Sequence, residues 1–165
     1  VRRSHVAVLP LSLVPDPVLR HRAKRVRNID RTVVRLVEDM IDTMKANEGV
    51  GLAAPQIGIS LRVIVIEIPG KDIVTLINPE LVKRIGEREV SEGCLSIPGY
   101  RGVINRAQCV TAKGLDLSGR AVRFKATDLF AQALEHEVGH IQGALYTDLL
   151  ASMDDLYKLE DADRE

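Results

Sequence analysis

The stretch His136-Glu137-Val138-Gly139-His140 predicts a helix and a metal site together. On a helix, positions i and i+4 lie on one face, one turn apart, so His136 and His140 can direct two imidazole nitrogens at a single cation. Glu137 follows the first of these ligands, where its carboxylate can take a proton from a water molecule on that cation. The stretch therefore predicts a hydrolytic metal site, but it leaves the third ligand and the substrate open.

The residues around this stretch complete the helix. Thr127 is suited to cap its start, and Gly143 is suited to end it. The apolar residues between them recur at helical spacing, which predicts packing on a sheet with the histidines beside the buried stripe. These apolar residues are Phe130, Leu134, Val138 and Ile141.

Further from the helix, the sequence predicts an α+β fold. Residues 28–47 have helical periodicity, with Asn28 or Asp30 as the cap and Gly49 after the end. The segments 61–68 and 73–77 are rich in β-branched residues, as buried strands are. Short strands separated by Gly or Pro follow over residues 87–124, with a hairpin turn at Gly119.

The order helix, strands, helix favours mixed or antiparallel β-sheets packed around a central metal-binding helix, with an N-terminal helix and a short C-terminal segment. That last segment, residues 152–165, is acidic and is predicted to be weakly helical. The length of 165 residues predicts one catalytic domain over 1–165.

The composition excludes several classes of protein. Lys+Arg 23 balances Asp+Glu 23, so no net charge favours nucleic acid, and the apolar runs are too short to span a membrane. Two cysteines are too few for a disulfide scaffold. An export-like start at Arg2-Arg3 is interrupted by prolines. We therefore expect a cytoplasmic protein with free thiols.

Catalytic zinc-type centres use three protein ligands, so a third ligand is needed. The candidates are Cys94, Asp128, Glu135 and Asp148. Cys94 is the most promising because it lies in the turn-like run Glu92-Gly93-Cys94-Leu95-Ser96-Ile97-Pro98, and because a thiolate binds divalent transition metals well. A lone cysteine is otherwise most often a small buried hydrophobe. We interpret Cys109 as an ordinary strand residue, and His5 and His21 as surface residues.

A third segment, residues 49–58, contains Gly49-Val50-Gly51-Leu52-Ala53-Ala54-Pro55-Gln56. Its small residues allow a ligand or another segment to approach the backbone, and Gln56 adds an amide donor that can face a substrate carbonyl. Alone, it would be interpreted as a Gly-rich connector. It lacks the Lys-Ser/Thr of a phosphate-binding loop.

Together, the three segments resemble the motifs of the peptide deformylase family, which are GxGLAAxQ, EGCLS and QHExDH. The first two are matched completely and in order, and the resemblance extends over residues 14–143. It implies a hydrolase that removes the formyl group from the N-terminal formyl-methionine of nascent polypeptides, as part of N-terminal methionine processing in protein biosynthesis.

The resemblance also implies a role for each residue. Cys94, His136 and His140 would hold one divalent ion, Fe²⁺ in most of the family, with Zn²⁺, Ni²⁺ and Co²⁺ as other occupants. Glu137 would be the base. The Gln56 side chain and the Leu95 backbone N–H would stabilise the oxyanion, and Gly51 and Arg101 match positions that line the peptide cleft.

The third motif departs from the family pattern, since Glu135 and Gly139 stand where Gln and Asp are usual. The missing Asp implies that Arg106 lacks its partner, and Glu135 would offset the lost charge only if it turns inward. We therefore expect altered contacts around the metal ligands.

Some members dock on the ribosome through a basic C-terminal helix. Residues 154–161 here are acidic on balance, so we do not expect docking through this tail.

Two alternative functions stay open from the sequence. One is a generic HExxH metallopeptidase, against which Cys94 and the Gln56 segment count. The other is a metal-binding but catalytically weakened homologue, motivated by Gly139 and Glu135.

Overall fold

The computed structural model describes residues 6–160, so His5 and the last five residues of the acidic tail lie outside the described part of the chain. Both predicted helices are confirmed. α1 is Arg31–Ala46, and its cap is Asp30, whose side chain accepts a hydrogen bond from the Val33 N–H. α2 is Asp128–Ile141, and the chain leaves it through Gly143, which has a φ of 81° and donates its N–H to the His140 carbonyl.

The strands form two sheets in which all neighbouring strands are antiparallel. The five-stranded sheet has the order β1-β2-β3-β6-β7, and the three-stranded sheet has the order β4-β5-β8. The strands are β1 Gly51–Ala53, β2 Val63–Ile66, β3 Val74–Ile85, β4 Arg88–Cys94, β5 Ile97–Arg106, β6 Cys109–Leu115, β7 Ala121–Thr127 and β8 Leu156–Lys158. The predicted hairpin is confirmed, because Gly119, with a φ of 82°, lies between β6 and β7.

The five-stranded sheet is covered on both faces, which explains why every residue of β2 is apolar and buried. Side chains alternate between the faces of a strand. Ile64 and Ile66 belong to the cluster formed with α2, whereas Val63 and Val65 belong to the cluster formed with α1. The sheet therefore lies between the two helices.

The three-stranded sheet has its own small core. Val90, Ile97 and Ile104 pack against Leu145 and Tyr146, which follow α2 after a three-residue connection. The α2 helix therefore lies close to both sheets, as the expected central helix. Across residues 6–160, neither helix is both long and apolar enough to cross a bilayer.

The C-terminal segment differs from the prediction. Over residues 152–160, the part that the structure describes, it forms a single 3₁₀ turn, Met153–Asp155, followed by β8. The prediction of weak helicity is therefore wrong for these residues. The reason is the free edge of β5, where Tyr157 pairs with Arg101 and satisfies backbone groups that a helix would have paired internally. The predictions for two other residues are confirmed, since His21 is exposed and Cys109 is a free thiol in β6.

Candidate metal centre

Three side chains from two elements converge on one point. His136 and His140 lie on one face of α2, and Cys94 ends β4. The His140 Nε2 is 3.1 Å from the His136 Nε2 and 3.4 Å from the Cys94 Sγ. All three ligand atoms lie within 4.8 Å of one another. The structure thus groups Cys94, rather than another candidate, with the histidines.

The other three candidates for the third ligand are used elsewhere. Asp148 pairs with Arg20 at 2.7 Å, Glu135 is bound on another side of α2, and Asp128 is exposed at the start of the helix. They lie outside the group of convergent ligand atoms.

Two of the three separations between ligand atoms fit a tetrahedral ion. Metal–nitrogen and metal–sulfur bonds of typical length at tetrahedral angles separate two nitrogens by about 3.3 Å, and a nitrogen from a sulfur by about 3.6 Å. The separations of 3.1 Å and 3.4 Å are close to these values. The residues present therefore fit a divalent cation.

A buried carboxylate supports the first histidine. Glu92 Oε2 is 2.7 Å from the His136 Nδ1, which orients the ring so that its Nε2 faces the other ligands. Arg106 donates to both oxygens of Glu92, its Nε at 3.0 Å from Oε1. Burial opposes ionisation of Glu92, but the hydrogen bonds from His136 and Arg106 outweigh it and lower the pKa to about 2. The expectation that Arg106 would lack a partner is therefore wrong.

The acidic groups around His136 favour a positive charge at this site. Burial opposes a charge on His136, yet Glu137, Cys94 and Glu92 together raise its pKa well above the ordinary value. Burial and the neighbouring His136 lower the pKa of His140, which leaves its ring free of a second proton and able to ligate. A divalent cation held by these residues would supply the positive charge that this cluster favours.

Glu137 lies beside these ligands in an unusual state for a carboxylate. It is 3% exposed, and its Oε1 has no hydrogen-bond partner among the described residues. Burial raises its pKa to about 7, against the attraction of His136. A carboxylate with a pKa in this range is suited to take up and return a proton near neutral pH.

Gly51 provides the space that Glu137 occupies. A Cβ atom on Gly51 would lie 2.4 Å from the Glu137 Oε2 and 3.0 Å from its Cδ, closer than atoms can pack. The sequence marked Gly51 as a residue of the peptide cleft, which it does line. Its missing side chain has the additional effect of admitting the Glu137 carboxylate.

The Gln56 amide has a fixed orientation. Its Oε1 accepts a hydrogen bond from the Ala53 N–H at 2.9 Å, so its Nε2 must face the metal group. That Nε2 is 3.2 Å from the Ser96 Oγ and 3.6 Å from the Cys94 Sγ. Leu95 lies in the turn between β4 and β5, outside the paired strand residues. An amide donor and a backbone N–H therefore lie beside the ligands.

The two departures from the third motif have clear positions. Glu135 does not turn toward the ligands, because its carboxylate accepts from the Arg84 Nε at 2.9 Å and from the Ala107 N–H at 3.1 Å. Gly139 borders a second cavity of about 510 Å³, which also reaches His136. A Cβ atom there would be no closer than 3.9 Å to its neighbours, so the position accepts a side chain.

The ligands open onto a cleft of about 760 Å³. The predicted residues that line it are Gly51, Gln56, Cys94, Leu95, Arg101, His136 and Glu137. Its outer wall is largely apolar and includes residues of the N-terminal segment and of α2, namely Leu9, Leu11, Leu13 and Leu129. The cleft therefore matches a ligand that has an apolar side chain along this wall and a polar carbonyl next to the metal-binding residues.

Three contributing residues were not singled out from the sequence. Glu92 stands two positions before Cys94, and a carboxylate so close to a ligand was the available signal. Ser96, which is fully buried, holds the Gln56 amide. Tyr146 stacks on His136 with ring centroids 6.3 Å apart, and no local pattern distinguishes it from a core residue.

Known proteins are similar to this chain over most of its length. Residues 8–155 match the family model of polypeptide deformylase. The peptide deformylase of Dehalococcoides mccartyi strain CBDB1 is 52% identical over 155 residues, which are 93% of each chain. A peptide deformylase crystal structure from Legionella pneumophila has a TM-score of 0.87 at 42% identity, covering 90% of this chain and 89% of that one. A Synechococcus elongatus peptide deformylase in complex with actinonin has a TM-score of 0.87 at 35% identity, covering 93% of this chain and 87% of that one.

Proposed function

The chain belongs to the polypeptide deformylase family of metal-dependent hydrolases, and on this basis we propose which of its residues perform the reaction. The reaction removes the formyl group from N-terminal formyl-methionine, releasing formate and a peptide with a free amine. The observation that carries the assignment is the convergence of Cys94, His136 and His140 next to the buried carboxylate of Glu137.

We propose that Cys94, His136 and His140 hold one Fe²⁺ ion, as the family resemblance implies. Imidazole and thiolate ligands suit several divalent ions, so Zn²⁺, Ni²⁺ and Co²⁺ are the alternatives. When bound, the ion polarises the formyl carbonyl and lowers the pKa of water. The short contact between His136 and Glu92 supports this ligand set, since metal-binding histidines commonly donate their second N–H to a carboxylate.

Glu137 is the proposed base. Its carboxylate accepts a proton from the attacking water, and it then transfers that proton to the departing amine as the formyl C–N bond breaks. Burial and the absence of a hydrogen-bond partner for its Oε1 among the described residues support this role, because a carboxylate already bonded elsewhere would be a weaker base.

The carbonyl oxygen gains negative charge during the attack, and two donors can meet it. We assign these to the Gln56 Nε2 and the Leu95 backbone N–H. The hydrogen bond from the Ala53 N–H fixes the orientation of the amide before the substrate arrives. A preset donor of this kind typically contributes about 3–4 kcal/mol of barrier reduction. Arg101, at the rim of the cleft, is the proposed contact for the peptide beyond the methionine.

The test is Glu137→Gln, which keeps the shape of the side chain and removes the proton acceptor. Formate release from formyl-Met-Ala-Ser should fall by about 10²–10⁴-fold, with the metal content unchanged. Asp128→Asn is the matched control, because it removes an exposed carboxylate from the same helix and should leave the rate unchanged. A Glu137→Gln enzyme that keeps its rate would refute the assignment of the base.

The comparisons do not favour a generic metallopeptidase or a weakened homologue. Measuring formate release, cleavage of an unblocked peptide and bound metal on one preparation separates these alternatives. Bound metal without turnover would support the weakened homologue.

We further propose that the chain acts as one catalytic domain over residues 1–165, in the cytoplasm and near the ribosome. Docking through the tail is not part of this proposal, because residues 156–158 of that tail are paired with β5. Ribosome co-sedimentation that depends on the tail and is insensitive to salt would contradict this point.

A further inference from the structure

The C-terminal strand contributes to the wall of the cleft. β8 pairs with β5 so that Tyr157 lies opposite Arg101, and Leu159, just beyond β8, donates its N–H to the Gly99 carbonyl at 2.8 Å. Leu159 and Arg101 both line the cleft that opens on the metal group. A segment remote in sequence from the three motifs therefore borders the place where a peptide would bind.

A chain of hydrogen bonds connects this strand to Arg101. The Arg101 Nε donates to the Ser91 Oγ at 3.0 Å, and its Nη2 donates to the Ser91 carbonyl at 2.8 Å. The Ser91 Oγ is in turn 2.6 Å from the Tyr157 hydroxyl. A serine side chain has three staggered rotamers, so the contact with Tyr157 selects the one that presents its oxygen to Arg101.

The Arg101 Nη1 takes part in neither bond to Ser91 and has no other hydrogen-bond partner within residues 6–160. A Cβ atom on Gly93 would lie 3.2 Å from this nitrogen, so the guanidinium rests against the backbone one residue before the ligand Cys94. A free N–H there can donate to a carbonyl of a peptide lying in the cleft. Tyr157 is 42% exposed, so its hydroxyl does not need the hydrogen bond to Ser91 to compensate for burial.

We propose that Tyr157 is a positioning residue for peptide binding: through Ser91, its hydroxyl fixes the Arg101 guanidinium at the rim of the cleft. The carbonyl that Arg101 contacts belongs to the peptide downstream of the formyl-methionine. This inference rests on the proposed role of Arg101. It predicts an effect on the binding of the peptide and none on the chemical step, because Tyr157 does not touch the reacting atoms.

The experiment is a double-mutant cycle with Tyr157→Phe and Arg101→Ala. Formate release is measured on formyl-Met-Ala-Ser amide, so that no free carboxylate contributes to binding. Tyr157→Phe should raise KM about three- to tenfold, as expected for one hydrogen bond, with kcat within about twofold and the metal content unchanged. In the Arg101→Ala background, Tyr157→Phe should change KM no further. Lys158→Met is the control, because it alters the neighbouring residue of β8, whose side chain points to the opposite face of the strand.

Each outcome decides a separate point. If Arg101→Ala leaves KM unchanged, the proposed role of Arg101 fails, and the role of Tyr157 fails with it. If Arg101→Ala raises KM and Tyr157→Phe does not, only the positioning role is overturned. An equal effect of Tyr157→Phe with and without Arg101, or a fall in kcat with loss of metal, would show that the tyrosine acts on the structure in general.

Discussion

Substitution of Gly51 by alanine tests the geometry of the base more directly than removal of the base itself. The new Cβ atom would lie 2.4 Å from the Glu137 Oε2 and 3.0 Å from its Cδ and Cγ. Since such contacts need about 3.5 Å, the carboxylate must move by about 1 Å. A misplacement of this size in a reacting group costs about 100-fold in rate, or about 2.7 kcal/mol of barrier.

The assay is steady-state formate release, with the bound metal measured on the same sample. For Gly51→Ala we expect kcat to fall about 100-fold while the metal content stays the same, because the three atoms nearest to the new Cβ all belong to Glu137 rather than to a ligand. Overpacking should also lower the free energy of unfolding by about 1–3 kcal/mol.

Gly139→Ala is the matched control. A Cβ atom at Gly139 would be 3.9 Å from its nearest neighbour, the Ala144 carbonyl oxygen, so the rate should be unchanged. The free energy of unfolding should rise by up to about 1 kcal/mol, because alanine favours a helix more than glycine does. The reasoning is refuted if Gly51→Ala keeps kcat within threefold, or if its loss of rate follows a loss of metal.

Three further predictions concern the surroundings of the centre. Glu92→Gln weakens the hydrogen bond to the His136 Nδ1 and should lower metal affinity about 10–100-fold, measured in competition with a chelator. Unchanged affinity would exclude a supporting role for this carboxylate. Gly139→Asp places a carboxylate beside a metal ligand and should slow metal release by up to about tenfold. If the variant has the same rate of formate release and the same metal retention as the parent protein, this position has no influence on the metal centre. The pKa of Asp148 is lowered by its bond to Arg20, so the pair stabilises the fold above the ordinary value of 3.8 and loses this effect as the pH falls through the lowered pKa. Because the pair is partly exposed, Asp148→Asn should reduce Tm at pH 7 by at most about 2–4 °C. This difference in Tm should vanish in acid. A difference that stays constant with pH would contradict the dependence of the stability on the ionisation of Asp148.

The features that the sequence predicts well are those determined by neighbours along the chain. The spacing of His136 and His140 defines one face of α2, and the cap at Asp30 and the turn at Gly119 depend on a few adjacent residues. The grouping of Cys94 with the histidines came from chemistry and from family resemblance, since the spacing alone left other candidates open.

The features that could not be predicted depend on contacts between distant segments. Glu92 is 44 positions from the histidine that it orients, so its closeness to Cys94 in the sequence does not by itself reveal the pairing with His136 or the ion pair with Arg106. The β8 strand has three residues and forms only because β5 offers a free edge. Likewise, the reason for a glycine at position 51 lies with Glu137 on another element.

The position of the ligands has a consequence for how this protein should be handled. Cys94 belongs to the three-stranded sheet, and the histidines belong to the helix that packs on the five-stranded sheet. An ion held by both would therefore link the three-stranded sheet to α2 through metal–ligand bonds. Metal occupancy would then contribute to the measured stability, because an ion at about 100 times its Kd adds about 2.7 kcal/mol to the free energy of unfolding. Melting temperatures of this protein should therefore be compared only between samples of equal metal content.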